Sequence, residues 1–144
     1  MAIKNYTTTI NVNKTIGEIQ ELLSKHGATA IITEYDNGNV TGISFKIITL
    51  KGELGIRLPS NTDRVLRVLK NQRKNNNQVK DTFEQANKVA WRIIKDWVAA
   101  QMAILETEMV EMEQIFLPYI LNNEGKTLYQ AFRDNQLLLG GEDE

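Results

Sequence analysis

Residues 81–121, DTFEQANKVAWRIIKDWVAAQMAILETEMVEMEQIFLPYIL, decide the fold class. They hold both tryptophans and all but one of the methionines. Trp91, Ile94, Val98, Met102, Leu105, Met109 and Met112 recur three or four apart, the spacing of one helix face. Phe83, Ala86, Ala90, Ile93, Trp97, Ala100 and Ile104 recur in the same way, about 100° further round. One apolar stripe places a helix on a surface, whereas two adjacent stripes give it neighbours on two sides. The expectation is a long central helix with a sheet on one side and helices or a second subunit on the other. Pro118 removes a backbone donor and clashes with the preceding turn, so this helix should kink or restart near residues 116–117.

Upstream, residues 6–12 (YTTTINV) are rich in β-branched side chains and read as a first strand. A short helix follows, with Asn13 or Thr15 as its cap and Thr15–Glu18 at capping-box spacing. Ile16, Ile19, Leu22 and Leu23 form its apolar stripe, and Gly27 stops it just after His26. Residues 28–35 form the next strand. Asp36-Asn37-Gly38-Asn39 is a tight hairpin, because Asn-Gly readily takes positive φ. Residues 40–50 return with Ile43, Phe45 and Ile47 on one face. Lys51-Gly52 turns the chain into residues 53–58, which Pro59 ends. The fold class is therefore α+β: a small antiparallel β-meander of about four strands packed with helices, with one long central helix in the C-terminal half.

Residues 60–63 (SNTD) are a cluster of capping residues that opens a helix over 64–72. Residues 71–80 are polar all round and read as a connection. Residues 127–133 form a short terminal helix capped by Thr127 with Gln130. An apolar plug at Leu137–Leu139 passes into an acidic tail over 140–144. No internal repeat is present, and one domain over 1–144 suffices, mainly sheet plus one helix over 1–59 and helical over 60–139.

Hydrophobic residues at 42% and charged residues at 24% place the chain in the globular class. There is no cysteine, which excludes disulfides, thiolate catalysis and cysteine zinc sites. No apolar run approaches the ~18 residues of a membrane span, and the opening MAIKNYTTTI lacks the apolar core of a signal peptide. The expectation is a soluble, cytoplasmic protein. The net charge of −1 hides an asymmetry: residues 1–80 carry 12 Lys+Arg against 6 Asp+Glu, residues 81–144 carry 5 against 12. Such a split suits a basic face for an anionic partner, or two ends that attract in an oligomer.

Catalytic chemistry finds little footing. His26 is the only histidine, and beside a helix C-terminus its cation suits the helix dipole without further purpose. Glu106, Glu108, Glu111 and Glu113 are the densest acidic group; on one helix they could hold metals, or form a solvated face. Phosphate loops, dinucleotide fingerprints, calcium loops and nucleophile elbows are absent. No catalytic residue, metal site or cofactor is expected, and the chain reads as a binder rather than an enzyme. Its most suggestive feature is basic: Arg64, Arg67, Lys70, Arg73 and Lys74, with Lys46 and Arg57 on or beside the sheet, can follow a phosphate backbone. Tyr6 and Tyr35 are candidates for stacking on bases. Trp91, Met102, Met109 and Met112 are candidates for an oligomer interface, methionine being adaptable in such places.

The segments AIKNYTT (2–8), FKI (45–47), IRLP (56–59), AWRIIKDWVAAQMAILE (90–106), EQIFLPYI (113–120) and GKTLYQ (125–130) resemble a family of small uncharacterised phage and prophage proteins. The resemblance spans most of the chain and brings no reaction or site residue with it. It implies a setting in the bacterial host cytoplasm, among replication or recombination accessories and inhibitors of defence. The first expectation is a non-enzymatic accessory that binds single-stranded DNA. The alternative is a homo-oligomeric anti-defence protein that masks a host protein or sequesters a nucleotide signal.

Overall fold

The computed structural model describes residues 2–134; the plug at 137–139 and the tail at 140–144 lie outside them. Three strands, β1 (Ala30–Asp36), β2 (Asn39–Thr49) and β3 (Gly52–Arg57), form an antiparallel meander in the order β1-β2-β3. The β1–β2 turn has positive φ at both Asn37 and Gly38, the combination a two-residue hairpin with matching twist requires. β2 is the central strand and carries the core: Val40, Ile43, Phe45 and Ile47 are buried. Thr41 is an extra residue opposite the Glu34/Tyr35 step, where the register shifts.

Among the described residues five helices pack on the sheet's apolar face or on one another: α1 (Val12–Lys25), α2 (Thr62–Arg73), α3 (Phe83–Leu105), α4 (Met112–Ile115) and α5 (Leu128–Arg133). The first stripe of α3 faces the sheet, and the second divides: Trp97 packs on the same core, Phe83 is exposed, and Ala86 and Ile93 lie toward α2. Trp91, Ile94, Val98 and Met102 join Ile16, Ile19 and Leu23 of α1 and the inner face of the sheet in the main core. Trp91 anchors this layer, fully buried, with its indole N–H donating to the Val40 carbonyl at 3.3 Å. Ala86 and Val89 meet Leu69 of α2 and Val79 in a smaller cluster, with Ile93 packed beside it. Beyond Trp97 the second stripe opens: Ala100 and Ile104 are exposed. A partly buried ion pair, Arg92 Nη1 to Glu18 Oε1 at 2.7 Å, fastens α3 to α1.

Several expectations need correction. Residues 6–12 are not a strand, so the meander has three strands rather than four. Asn5 takes φ +64°, and the buried amide of Gln85 donates to the carbonyls of Tyr6 and Thr8, 3.0 Å each. The carbonyls that a sheet would use are thus satisfied by a side chain of α3. Asn11, not Asn13 or Thr15, caps α1, its side chain accepting from the Asn13 N–H at 2.8 Å. The fourth position in the sheet is taken by a fragment from far downstream. Ile120 bridges Ile56, and the Leu121 N–H donates to the Gly55 carbonyl at 2.8 Å.

The long helix is also shorter than its pattern. It ends at Leu105, thirteen residues before Pro118, and Glu108 lies at φ +65°. Three acidic residues near that end, Glu106, Glu108 and Glu111, oppose the negative pole of the helix and no basic residue occupies the last turn. Pro118 falls in a 3₁₀ turn, Leu117–Tyr119, near its start where a missing N–H costs nothing. Thr82 caps the long helix, its hydroxyl accepting from the Gln85 N–H at 3.2 Å. The terminal helix forms as expected, with a full capping box: the Gln130 N–H donates to Thr127 Oγ at 3.1 Å, and the Thr127 N–H to Gln130 Oε1 at 2.8 Å.

Candidate functional site

The basic residues of the sequence separate into three fates. Arg64, Arg67, Lys70 and Lys74 stand exposed along α2 and its C-terminal cap, and among the described residues none has a carboxylate at ion-pair distance. At 100° per residue Arg67, Lys70 and Lys74 occupy an arc of about 60°, with Arg64 about 60° to one side. From Arg64 to Lys74 the row runs about 15 Å. A shallow groove beside it is lined by Asp63, Leu66, Arg67, Lys70, Asn71 and Lys74. Asp63 sits in the first turn, where a carboxylate is favoured by the positive end of the helix.

Arg73 points away from this row and is structural. It donates to the Val79 carbonyl at 2.7 Å and lies 4.0 Å from Asp81, tying the connection over 74–82 to the helix. Lys46 and Arg57 lie on the sheet's open face and are already paired, Lys46 with Glu53 at 3.6 Å and Arg57 with Glu34. The expected single basic surface over sheet and helix is therefore a helix row plus neutralised pairs on the sheet.

Arg64 also borders a second concavity, and this one joins residues far apart in sequence. A cleft of about 390 Å³ is lined by Arg57, Arg64, Arg133, Tyr119, Tyr129 and the segment 58–61, together with Thr127 and Gln130. The Ile56–Ile120 bridge and the Leu121–Thr127 bridge bring α5 and the 3₁₀ turn against the end of β3 and the start of α2. Tyr119 is held by an edge-on contact with Trp97 at 5.6 Å, and Trp97 by another with Phe116 at 5.6 Å. Tyr129 is 53% exposed. Neither tyrosine nor Arg133 stands out in the sequence for this role. The only local signal for Tyr129 and Arg133 was a capped short helix, Tyr119 lies in the 3₁₀ turn before it, and the contact that matters, Ile56 to Ile120, spans more than sixty residues.

Tyr6 is half-buried against the smaller cluster, and Tyr35 is exposed on β1, away from the α2 row in sequence and in element. The expected interface residues Trp91, Met102 and Met112 are buried in this chain's own core; only Met109, 73% exposed, is free to meet a partner. The apolar periodicity there records the intramolecular sheet.

The acidic group does not share a helix face. Glu106 caps α3, Glu108 is in the left-handed region, and Glu111 caps α4. Among the described residues no three His, Cys, Asp or Glu side chains gather as a metal site. Glu106 instead meets His26: Nε2 lies 2.8 Å from Glu106 Oε2, and Nδ1 lies 2.7 Å from the Leu22 carbonyl. Two acceptors at the two ring nitrogens favour the doubly protonated ring, and the Glu106 contact raises its pKa above the ordinary value. Among the described residues no helix is long and apolar enough to cross a membrane. Compared with protein-family models, curated proteins and solved structures, the chain gives no match.

Proposed function

We propose that this protein is a non-enzymatic accessory that binds single-stranded DNA, acting in phage replication or recombination in the host cytoplasm. One observation carries the reading: four cations on α2 and its C-terminal cap that have no acidic partner among the described residues, continuous through Arg64 with a cleft that offers two tyrosine rings. Cations spaced along an exposed helix suit successive phosphates, and their binding releases counterions. Tyrosine rings stack on bases whose faces are uncovered, which a single strand provides and a duplex does not. The resemblance to phage and prophage proteins supports the setting.

The test is charge reversal with an internal control. Lys70→Glu and Lys74→Glu should each weaken binding of a short fluorescent single-stranded DNA by about tenfold, equivalent to one lost charge-assisted contact of ~1.4 kcal/mol. Lys46→Glu, at a position already paired on the sheet, should leave it within about twofold, because an exposed pair contributes little. Equal effects at all three positions would mean non-specific attraction and would remove the reading.

A further inference from the structure

The cleft differs from the helix row in what it leaves unused. Ser60 Oγ donates to the Thr41 carbonyl at 3.0 Å, Asn61 Oδ1 accepts the Arg64 N–H at 3.2 Å, and Gln130 is taken by its capping box. Arg57 is held by Glu34. Asp134, next to Arg133 in sequence, is engaged by Lys126 at 2.8 Å. Among the described residues the guanidinium groups of Arg64 and Arg133 and the hydroxyls of Tyr119 and Tyr129 have no hydrogen-bond or ion-pair partner, and the Tyr129 ring, unlike that of Tyr119, has no aromatic partner. Two free guanidinium groups facing one concavity carry a charge of +2. An internal phosphodiester carries −1, whereas a terminal phosphomonoester carries about −1.5 to −2 and three acceptor oxygens. Planar guanidinium forks match such a group bidentately. The volume of about 390 Å³ falls within the range of small-ligand sites and leaves room for a base beside the phosphate.

We infer that this cleft is a subsite for a nucleotide bearing a phosphomonoester, with Arg64 and Arg133 on the phosphate and Tyr129 against the base. The occupant is the phosphorylated end of a bound strand, or a free nucleoside monophosphate of the same chemistry. The strand-end form rests on the single-strand reading above, with Arg64 passing the chain from the cleft to Arg67, Lys70 and Lys74. The free-nucleotide form stands without it.

Fluorescence anisotropy with one internally labelled oligonucleotide, carrying a 5′-phosphate, a 3′-phosphate or neither, tests this, together with calorimetry using AMP alone. The expected result is about tenfold tighter binding for one phosphorylated end, a difference that Arg133→Ala and Tyr129→Ala each abolish while retaining the salt dependence set by α2. Both side chains are exposed, and circular dichroism of each variant checks that the fold is kept. AMP binding that the same two substitutions remove, with no preference for phosphorylated ends, would assign the cleft to a free nucleotide. Indifference to terminal phosphate together with no AMP binding would overturn the subsite while leaving the helix row intact. An end preference that persists while Lys70→Glu and Lys74→Glu leave the affinity of every oligonucleotide unchanged would instead support the subsite and remove the strand path along α2.

Discussion

Arg57 on β3 and Glu34 on β1 form an ion pair that passes over the middle strand at Gly42. A β-carbon built at Gly42 would come within 2.7 Å of the Arg57 guanidinium and 2.8 Å of the Glu34 carboxylate, so the glycine makes the room for this bridge. The pair removes Arg57 from the free cations and stitches the two outer strands across the open face.

Gly42→Ala should therefore separate the pair at little cost. The clashing atoms are the flexible ends of two half-exposed side chains, and an exposed pair contributes about 0–1 kcal/mol. The expected change in unfolding free energy is within about 1 kcal/mol, measured by urea denaturation. A loss of several kcal/mol would show that the bridge holds the sheet together.

Phe116 carries more. Its ring meets Phe45 edge-on at 5.4 Å and Trp97 at 5.6 Å, linking the sheet, α3 and, through Trp97, Tyr119 of the cleft. Phe116→Ala should cost about 3–5 kcal/mol, as truncation of a buried aromatic does. Thermal unfolding followed by circular dichroism reads this, and a shift of only a degree or two would contradict it.

Thr127→Ala removes the cap that starts α5. The expected loss is about 1 kcal/mol in stability. Because α5 supplies Tyr129 and Arg133, the preference for a phosphorylated strand end should fall in the same variant. A stable variant with full preference would show that α5 needs no cap to hold the cleft.

Two contacts should respond to pH in opposite senses. The hydrogen bond to Glu106 raises the His26 pKa, so its contribution is complete below the unfolded value near 6.5 and is lost as pH rises through the folded value. The stability gap between the wild type and Glu106→Gln should be wider at pH 5.5 than at pH 8, by thermal unfolding. Burial works against ionisation of Asp96, yet the hydrogen bonds from Asn5 and Lys4 prevail and hold its carboxyl below the ordinary aspartate value. Its contribution is present above the unfolded value near 3.8 and disappears as pH falls through the folded one. Asp96→Asn should be less stable than the wild type at pH 6, with the gap closing near pH 3.

The sequence was legible wherever structure is local. Asn37-Gly38 specified its turn, Ile43, Phe45 and Ile47 their face, Thr127 and Gln130 their capping box, and the first stripe of α3 its place on the sheet, while of the second stripe only Ala86 and Ile93 found α2. It misled where partners are distant. Residues 6–12 have the β-branched content of a strand, but Gln85, more than seventy residues away, takes their carbonyls. Met102 and Met112 have the spacing of an interface and found the chain's own sheet. Four of the expected binding cations, Arg64, Arg67, Lys70 and Lys74, do line up. Arg73, Lys46 and Arg57 were engaged by Asp81, Glu53 and Glu34, pairings that charge patterning alone does not reveal. Tyr119, Tyr129 and Arg133 were invisible as a site because only the bridge from Ile120 to Ile56 brings them to Arg64.

The salt dependence of single-stranded DNA binding tests the central claim most directly. With the four α2 cations each neutralising one phosphate, log K against log salt should fall with a slope of about −3, at about −0.7 per contact for single strands. The slope should drop to about −2 in Lys70→Glu. A slope near zero, or no binding even at low salt, would contradict the assignment of α2 as a phosphate-binding face.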